Sequence, residues 1–384
     1  MWKEDNMDKR VYFLMVISFV IGMVELIISG ILDLIAEDLQ VSLAQVGLLI
    51  TVFALIMAIA SPILLVITAK VERKKLTLIC LYIFLIGCII TVLSPNFTIL
   101  FIARIILALS GALLIILCLV MAPSLVEEKY RGRAIGFVSM GVSASLVLGV
   151  PIGLLLGNAF GWRAPFILIT GLTALSIIGV HFFMDSIQPK TQVPLKVQLA
   201  SLKSPKITFA IMTTFLYMSG HTVIYAYFSP YIQTTTDLDG GWVSIVYLIF
   251  GVAAVSGGGI GGVLADLFGS KRSILLALIL FSFVFFILPF TTEIFPMLFL
   301  TLIIWGILSW AISPAMQTYL IETSPKTSDI QQSLNNSALH LGVAVGSIIG
   351  GMVVEELSIE HNPFVGGILI ILSLFTIVIS FKSR

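Results

Sequence analysis

Glu25, Arg104, His221 and His340, side chains that carry or exchange protons, stand deep inside long apolar runs of this chain. A charge near the middle of a bilayer costs about 2.5–3.5 kcal/mol or more, so each needs a partner or a task. The run holding Glu25 crosses in one direction and the run holding Arg104 returns, which places the two at similar depth and lets them pair. Such a pair is either a permanent tie between two helices or a proton switch. Burial favours the neutral carboxyl and a nearby guanidinium favours the charged one, so a small rearrangement takes up or releases a proton. Asp33, near the outer mouth, is expected to be solvated.

Around these groups, polar residues recur at helical spacing. One stripe is Ser18, Gly22, Glu25 and Ser29, and a second is Arg104, Ala108 and Gly111. A third is Tyr217, His221, Tyr225 and Phe228, and a fourth is Ser333, Asn336, His340 and Ser347. Each is expected to line an internal cavity. The plain alternative for either histidine is a hydrogen-bonded packing residue. The pair has no third ligand in view, so no metal site is expected. Trp305, Trp310, Pro314 and Gln317 add aromatic faces and an amide, which suit a flat ligand with polar edges. Trp305 and Trp310, five residues apart, point to different helix faces, so at most one of them is expected in the site. The candidate coupling residues are Glu25 and Arg104. The candidate binding residues are Tyr217, His221, Tyr225, Trp305, Gln317, Asn336 and His340.

The elements that must hold these groups are membrane helices. Of 384 residues, 59% are hydrophobic and only 11% charged, with a mean hydropathy of +1.12. A soluble domain carries roughly 25% charged residues, so lipid must be the solvent here. A helix needs about 20 apolar residues to cross the hydrocarbon core. Such runs fall at 12–34, 44–68, 76–94, 97–121, 134–157, 164–184, 207–231, 242–265, 273–290, 296–320, 332–354 and 363–381, giving an all-α membrane protein of twelve spans. The first run is too long for the apolar core of a signal peptide and is read as a retained helix. With the N-terminus in the cytoplasm, every lysine and arginine except Arg104 and Arg163 falls in a cytoplasmic segment, as the positive-inside rule requires. Both termini are therefore expected in the cytoplasm. The net charge of +1 offers no basic stripe for nucleic acid. Cys80, Cys88 and Cys118 lie in apolar runs and are read as buried thiols.

The chain also reads as a duplication. Gly149, Gly153 and Gly157 in the fifth run match Gly342, Gly346 and Gly350 in the eleventh. Small residues at that spacing let helix backbones approach closely, either as static packing or as a face on which two bundles rock. The loop after the second run, Ala69 to Lys75, matches the loop after the eighth, Asp266 to Arg272. The division is an N-terminal six-helix bundle over 1–184, a cytoplasmic linker over 185–206 and a C-terminal six-helix bundle over 207–384.

The segment Gly262 to Arg272, GVLADLFGSKR, resembles the G-x-L-a-D-x-x-G-x-K-R signature of the major facilitator superfamily. Arg104 resembles the motif arginine of its drug:proton antiporter branch, and Gly149-Val150-Pro151-Ile152-Gly153 resembles the antiporter motif of helix five. Within that branch the chain is similar to bacterial purine base and nucleoside efflux pumps. The likeness is sharpest at Met23 to Leu26, Ala226 to Phe228, Trp305 to Trp310 and Asp329 to Ser333. It departs at Ala69 and Glu72, where the signature has aspartate and glycine, and at Ala108, where many antiporters have glycine. The resemblance implies two pseudo-symmetric six-helix bundles about a central cavity, in a bacterial cytoplasmic membrane, working by alternating access. It implies gating roles for Asp266, Gly269, Lys271, Arg272, Gly149, Pro151 and Gly153.

The function expected is efflux of purine bases, nucleosides or analogues in exchange for protons, with no cofactor and from a monomer. The alternative is export of sugars or unrelated drugs, which the same scaffold supports. An intramembrane enzyme is disfavoured, because no HExxH, no GxSxG and no facing pair of aspartates occurs. A neutral ligand is expected, since pairing Glu25 with Arg104 leaves no spare cavity charge.

Overall fold

Backbone groups in lipid must find partners within their own segment, so a long apolar run crosses as a helix. The computed structural model describes residues 8–127, 130–188, 204–236, 238–325 and 328–383. It forms twelve helices long and apolar enough to span a membrane: α1 Lys9–Gly30, α2 Leu43–Leu64, α3 Arg73–Leu93, α4 Phe97–Ser124, α5 Arg133–Phe160, α6 Ala164–Phe183, α7 Pro205–Tyr225, α8 Gly240–Phe268, α9 Ser270–Phe290, α10 Phe295–Thr323, α11 Ile330–Glu356 and α12 Ile359–Lys382. Residues 189–203 of the expected linker lie outside the described residues, as do Lys3, Lys129, Lys190, Lys196, Lys203, Lys326 and Arg384 of the expected cytoplasmic charge set.

Two ends differ from the expectation in the same way. The first span stops at Gly30 and the seventh at Tyr225, and each is followed by a short helix, Leu32–Leu39 and Phe228–Thr235. The second break has a plain cause in Pro230, which has no N–H and whose ring would clash with the carbonyl four residues back. Hydropathy reads through both breaks because the residues on either side are apolar.

Packing repeats between the halves. In the first, α1 packs on α5, α2 on α4, and α3 on α4 and α6; in the second, α7 packs on α11, α8 on α10, and α9 on α10 and α12. The seams between the halves are α2 against α11 and α5 against α8.

The glycine ridges lie away from those seams. A Cβ on Gly153 would meet Ile27 of α1, and one on Gly346 would meet the Ser219 carbonyl of α7. Gly149 abuts Met23 of α1, and Gly342 and Gly350 abut the Phe215 and Val223 carbonyls of α7. These contacts lie within one half each. The ridges therefore pack α5 on α1 and α11 on α7, and they are not a face between the bundles. What α5 brings to its seam is the turn just before Pro151: residues Ser145–Gly149 form a π-helical segment, and the Leu146 carbonyl abuts Gly251 of α8.

The two related loops are built differently. After α8, Gly269 takes φ +83°, a conformation that favours glycine, while Asp266 and Arg272 are exposed and the Lys271 ammonium stands 5.6 Å from the Phe381 ring. After α2, Glu72 occupies the place of the signature glycine and caps α3. Its carboxylate accepts from the N–H groups of Lys74 at 2.8 Å and Lys75 at 2.7 Å, and from that of Ile187 at 2.8 Å. Partial burial works to raise its pKa, yet the N–H groups of Lys75, Ile187 and Lys74 outweigh it and hold the carboxyl below the usual range.

Candidate functional site

The seams enclose a cavity of about 470 Å³ between the halves. Polar hydrogen bonds close it at the end away from the termini. Tyr247 donates to the Ser29 carbonyl at 2.9 Å, Tyr227 to the Ser347 carbonyl at 2.9 Å, and Ser347 to the Gly47 carbonyl at 2.9 Å. Ser229 and Gln233 donate to Asp33 at 3.2 and 3.0 Å, and Ser42 donates to Glu355 at 2.7 Å. Asp33 is thus a latch between the bundles and not a solvated carboxylate. The short helices after α1 and α7 are what bring Asp33 opposite Ser229 and Gln233. From there its lining extends toward the side of the termini, to Ser61 of α2, Leu119 of α4, Val138 of α5 and Ser313 of α10.

Glu25 projects from α1 into the cavity with its side chain 24% exposed, and its Oε1 lies 3.5 Å from Nδ1 of His340 on α11. Arg104 is elsewhere. It is fully buried, its Nη1 donates to the Val24 carbonyl at 2.8 Å, its Nε donates to the Leu49 carbonyl at 3.3 Å, and its guanidinium stacks 4.3 Å from the Phe53 ring centre. The expected Glu25–Arg104 pair is therefore corrected. The two do share a depth, since Arg104 holds the carbonyl just before Glu25. The guanidinium approaches from behind α1, where it finds backbone oxygens, while the carboxylate faces the opposite bundle.

The polar stripes divide in a similar way. On α1, Glu25 and Ser29 line the cavity, whereas Ser18 is buried and Gly22 abuts Ser145. On α4, Arg104 and Ala108 are buried, and Gly111 packs beside Ile21 and Phe84. On α7, Tyr217, His221 and Tyr225 all line the cavity. On α11, Asn336 and His340 do, while Ser347 belongs to the closed end. The neighbouring Asn335 is turned inward and accepts from Thr214 at 2.7 Å, which leaves Asn336 to the cavity.

Two of the expected binding residues are corrected. Trp305 is fully buried behind the cavity wall, and Trp310 is the tryptophan that reaches the cavity. Gln317 is exposed nearer the terminal side, beyond the lining, with its amide nitrogen 3.4 Å from Ser313. Residues not singled out as ligand contacts complete the walls: Phe53, Met57 and Phe250. They are apolar positions in apolar helices, and nothing in the pattern marks them apart from lipid-facing neighbours.

The wall from the second half is aromatic. The His221 ring stacks on Tyr225 at 5.1 Å and 20°, and Trp305 donates its indole N–H to His221 Nδ1 at 3.1 Å. Phe228, Tyr247, Phe250 and Phe285 pack around that centre. Among the described residues, the Tyr225 hydroxyl and His340 Nδ1 are buried with no hydrogen bond. Such groups are costly to leave unmatched. An aromatic face beside the amide of cavity-lining Asn336 can take a flat ring and bond its edge.

Comparison with known proteins agrees with this architecture. Residues 14–262 and 210–383 match the Major Facilitator Superfamily. The chain is 32% identical over 375 residues to a protein of Bacillus subtilis (strain 168) named "Uncharacterized MFS-type transporter YbcL", covering 98% of this chain and 96% of that one. It is 26% identical over 376 residues to the "Probable sugar efflux transporter" of Helicobacter pylori (strain P12), covering 97% and 96%. Among solved structures, a bacterial homologue of the human lysosomal transporter Spinster, in an inward-facing and occupied conformation, superposes with a TM-score of 0.84 at 16% identity, covering 97% of this chain and 96% of that one. With twelve spans in two matching halves around a closed-ended cavity, the chain belongs to the major facilitator superfamily of membrane transporters and is not an enzyme.

Proposed function

We propose that this transporter exports purine bases, nucleosides or their analogues from the cytoplasm in exchange for protons. The observation that carries the reading is the approach of Glu25 to His340 in a cavity walled by the His221–Tyr225 stack. The distribution of lysine and arginine supports cytoplasmic termini, so this conformation is open inward and closed outward. A proton between Glu25 and His340 strengthens a contact that joins the bundles, and its loss leaves a carboxylate beside an imidazole. Protonation thereby gives α1 and α11 a reason to separate or close, which is the differential interaction that alternating access needs. The stacked rings supply a face for a heterocycle, and Asn336 and His340 supply edge contacts. A neutral ligand still fits, because Glu25 and His340 can satisfy one another without a further ion.

A second reading is sugar export. It is favoured by relatives that carry that name and by hydroxyl groups in the cavity wall at Ser29, Ser139, Ser309 and Ser313. The test is efflux of radiolabelled adenine or hypoxanthine from proteoliposomes with an imposed pH gradient, with and without a protonophore. Purine movement that collapses with the gradient supports the first reading. Movement of disaccharide and not of purine replaces it with the second.

A further inference from the structure

We infer that Trp305 is a positioning residue for ligand selectivity: its indole N–H fixes His221 in one tautomer, so that the cavity meets His221 as a hydrogen-bond donor. The inference rests on the purine reading for its choice of ligand, and its geometry stands apart from that reading. An indole nitrogen only donates. Its contact with His221 Nδ1 at 3.1 Å therefore requires a lone pair on that nitrogen, and the ring proton goes to Nε2. Trp305 is fully buried in a cage of Phe228, Phe250 and Phe285, so it holds the contact without access to the ligand itself. His221 is further held by stacking on Tyr225, and it lines the cavity. Among the described residues its Nε2 makes no hydrogen bond.

The donor at His221 and the acceptor at Glu25 lie on walls supplied by different halves. A ligand that satisfies both presents an acceptor on one edge and a donor on another. Ring nitrogens and amino or ring N–H groups of a purine are such an edge pair. A hydroxyl could serve either wall, so a sugar would not register the tautomer.

The test uses the full-length protein in lipid nanodiscs, with ¹⁵N-labelled histidine and with adenine and its 1-deaza, 3-deaza and 7-deaza analogues. The expected nitrogen spectrum of His221, assigned by its loss in His221→Gln, has Nδ1 unprotonated and Nε2 protonated. One deaza analogue is expected to bind about tenfold more weakly than adenine, the scale of one hydrogen bond. Trp305→Phe, which keeps an aromatic ring, is expected to give a mixed tautomer and to shrink that discrimination several-fold. His221→Phe is expected to abolish it. A proton on Nδ1 in the parent protein overturns the inference, as does discrimination unchanged in both variants. Should the parent bind no purine, the functional reading fails while the spectrum still decides the tautomer.

Discussion

Glu25 Oε1 and His340 Nδ1 stand 3.5 Å apart, one on α1 and the other on α11, so that a carboxylate from the first half faces an imidazole from the second. The separation exceeds the roughly 2.7–3.2 Å of a well-formed hydrogen bond. His340 Nδ1 is buried without a hydrogen bond among the described residues, so none of them competes for it. Neither half owns the interaction, and a proton placed there acts on the relation between the two.

Glu25→Gln should therefore abolish export driven by a pH gradient while leaving gradient-free exchange of ligand. The amide keeps the size and loses the titration. His340→Gln should do the same, and the double variant should be no worse than the more damaged single one, since the two act on one interaction. The measurement is radiolabelled efflux and exchange in proteoliposomes. Additive losses in the double variant would show that the pair does not work as a unit.

Asp38, in the short helix after α1, gives a pH prediction outside the membrane. Its carboxylate accepts from Trp162 at 2.9 Å and from Arg163 at 2.7 Å, and these contacts, Trp162 first, hold its pKa below the usual range. A carboxyl whose folded pKa is depressed stabilises the fold above its unfolded pKa, about 3.9, and that contribution is lost as pH falls through the folded value. The Asp38 side chain is 48% exposed, so solvent screens the effect. Asp38→Asn should lower the melting temperature slightly at pH 7, and the gap to the parent should close as pH falls below about 4. A gap that persists at pH 3 would mean that the contact is not ionic.

The glycine ridges predict a contrast in stability. A Cβ at Gly346 meets the Ser219 carbonyl, which belongs to a helix backbone and cannot step aside, whereas one at Gly153 meets the tip of Ile27, which can change rotamer. Gly346→Ala should cost stability and expression, at the scale of about 1–3 kcal/mol for overpacking, and Gly153→Ala should cost less. Thermal melts of the purified variants in detergent rank them. The reverse order would place the rigid contact on α1.

Much of the fold was legible, because span length and the placement of lysines and arginines are independent signals and agreed on twelve helices. The breaks at Ile31 and Tyr227 were hidden, since an apolar residue fits a continuous membrane helix and a break between two helices equally well. Glu25, Tyr217, His221, Tyr225, Asn336 and His340 were found from their polarity inside apolar runs, and all six line the cavity. Arg104, Trp305 and Gln317 have the same polarity signal and do not line it. What separates the groups is the direction each side chain takes within its helix and which helix lies opposite. Neither can be read from spacing along one strand of sequence. The Glu25–Arg104 expectation failed on that point: equal depth is visible in a sequence, and facing is not.

Arg104 carries the last prediction, and it follows from that correction. The guanidinium joins α4 to α1 and α2 through the carbonyls of Val24 and Leu49, and it stands over the Phe53 ring, 4.3 Å from its centre. A planar fork can direct separate N–H groups to two carbonyls while stacking on a ring; an ammonium on a flexible stem concentrates its charge at one point and cannot do all three. Arg104→Lys should thus lose one of the two carbonyl contacts and hold the Glu25 turn less firmly, a loss of about 1.5–3 kcal/mol for a hydrogen bond from a charged group. Transport should fall with it, because the backbone that Arg104 grips ends at the residue before Glu25. If Arg104 acted as a charge partner of Glu25, lysine would restore much of the activity that Arg104→Gln removes. If it acts as a fork on backbone oxygens, Lys and Gln should be similarly impaired in efflux, with both melting below the parent. Near-parental efflux by Arg104→Lys would return Arg104 to the role of a simple positive charge.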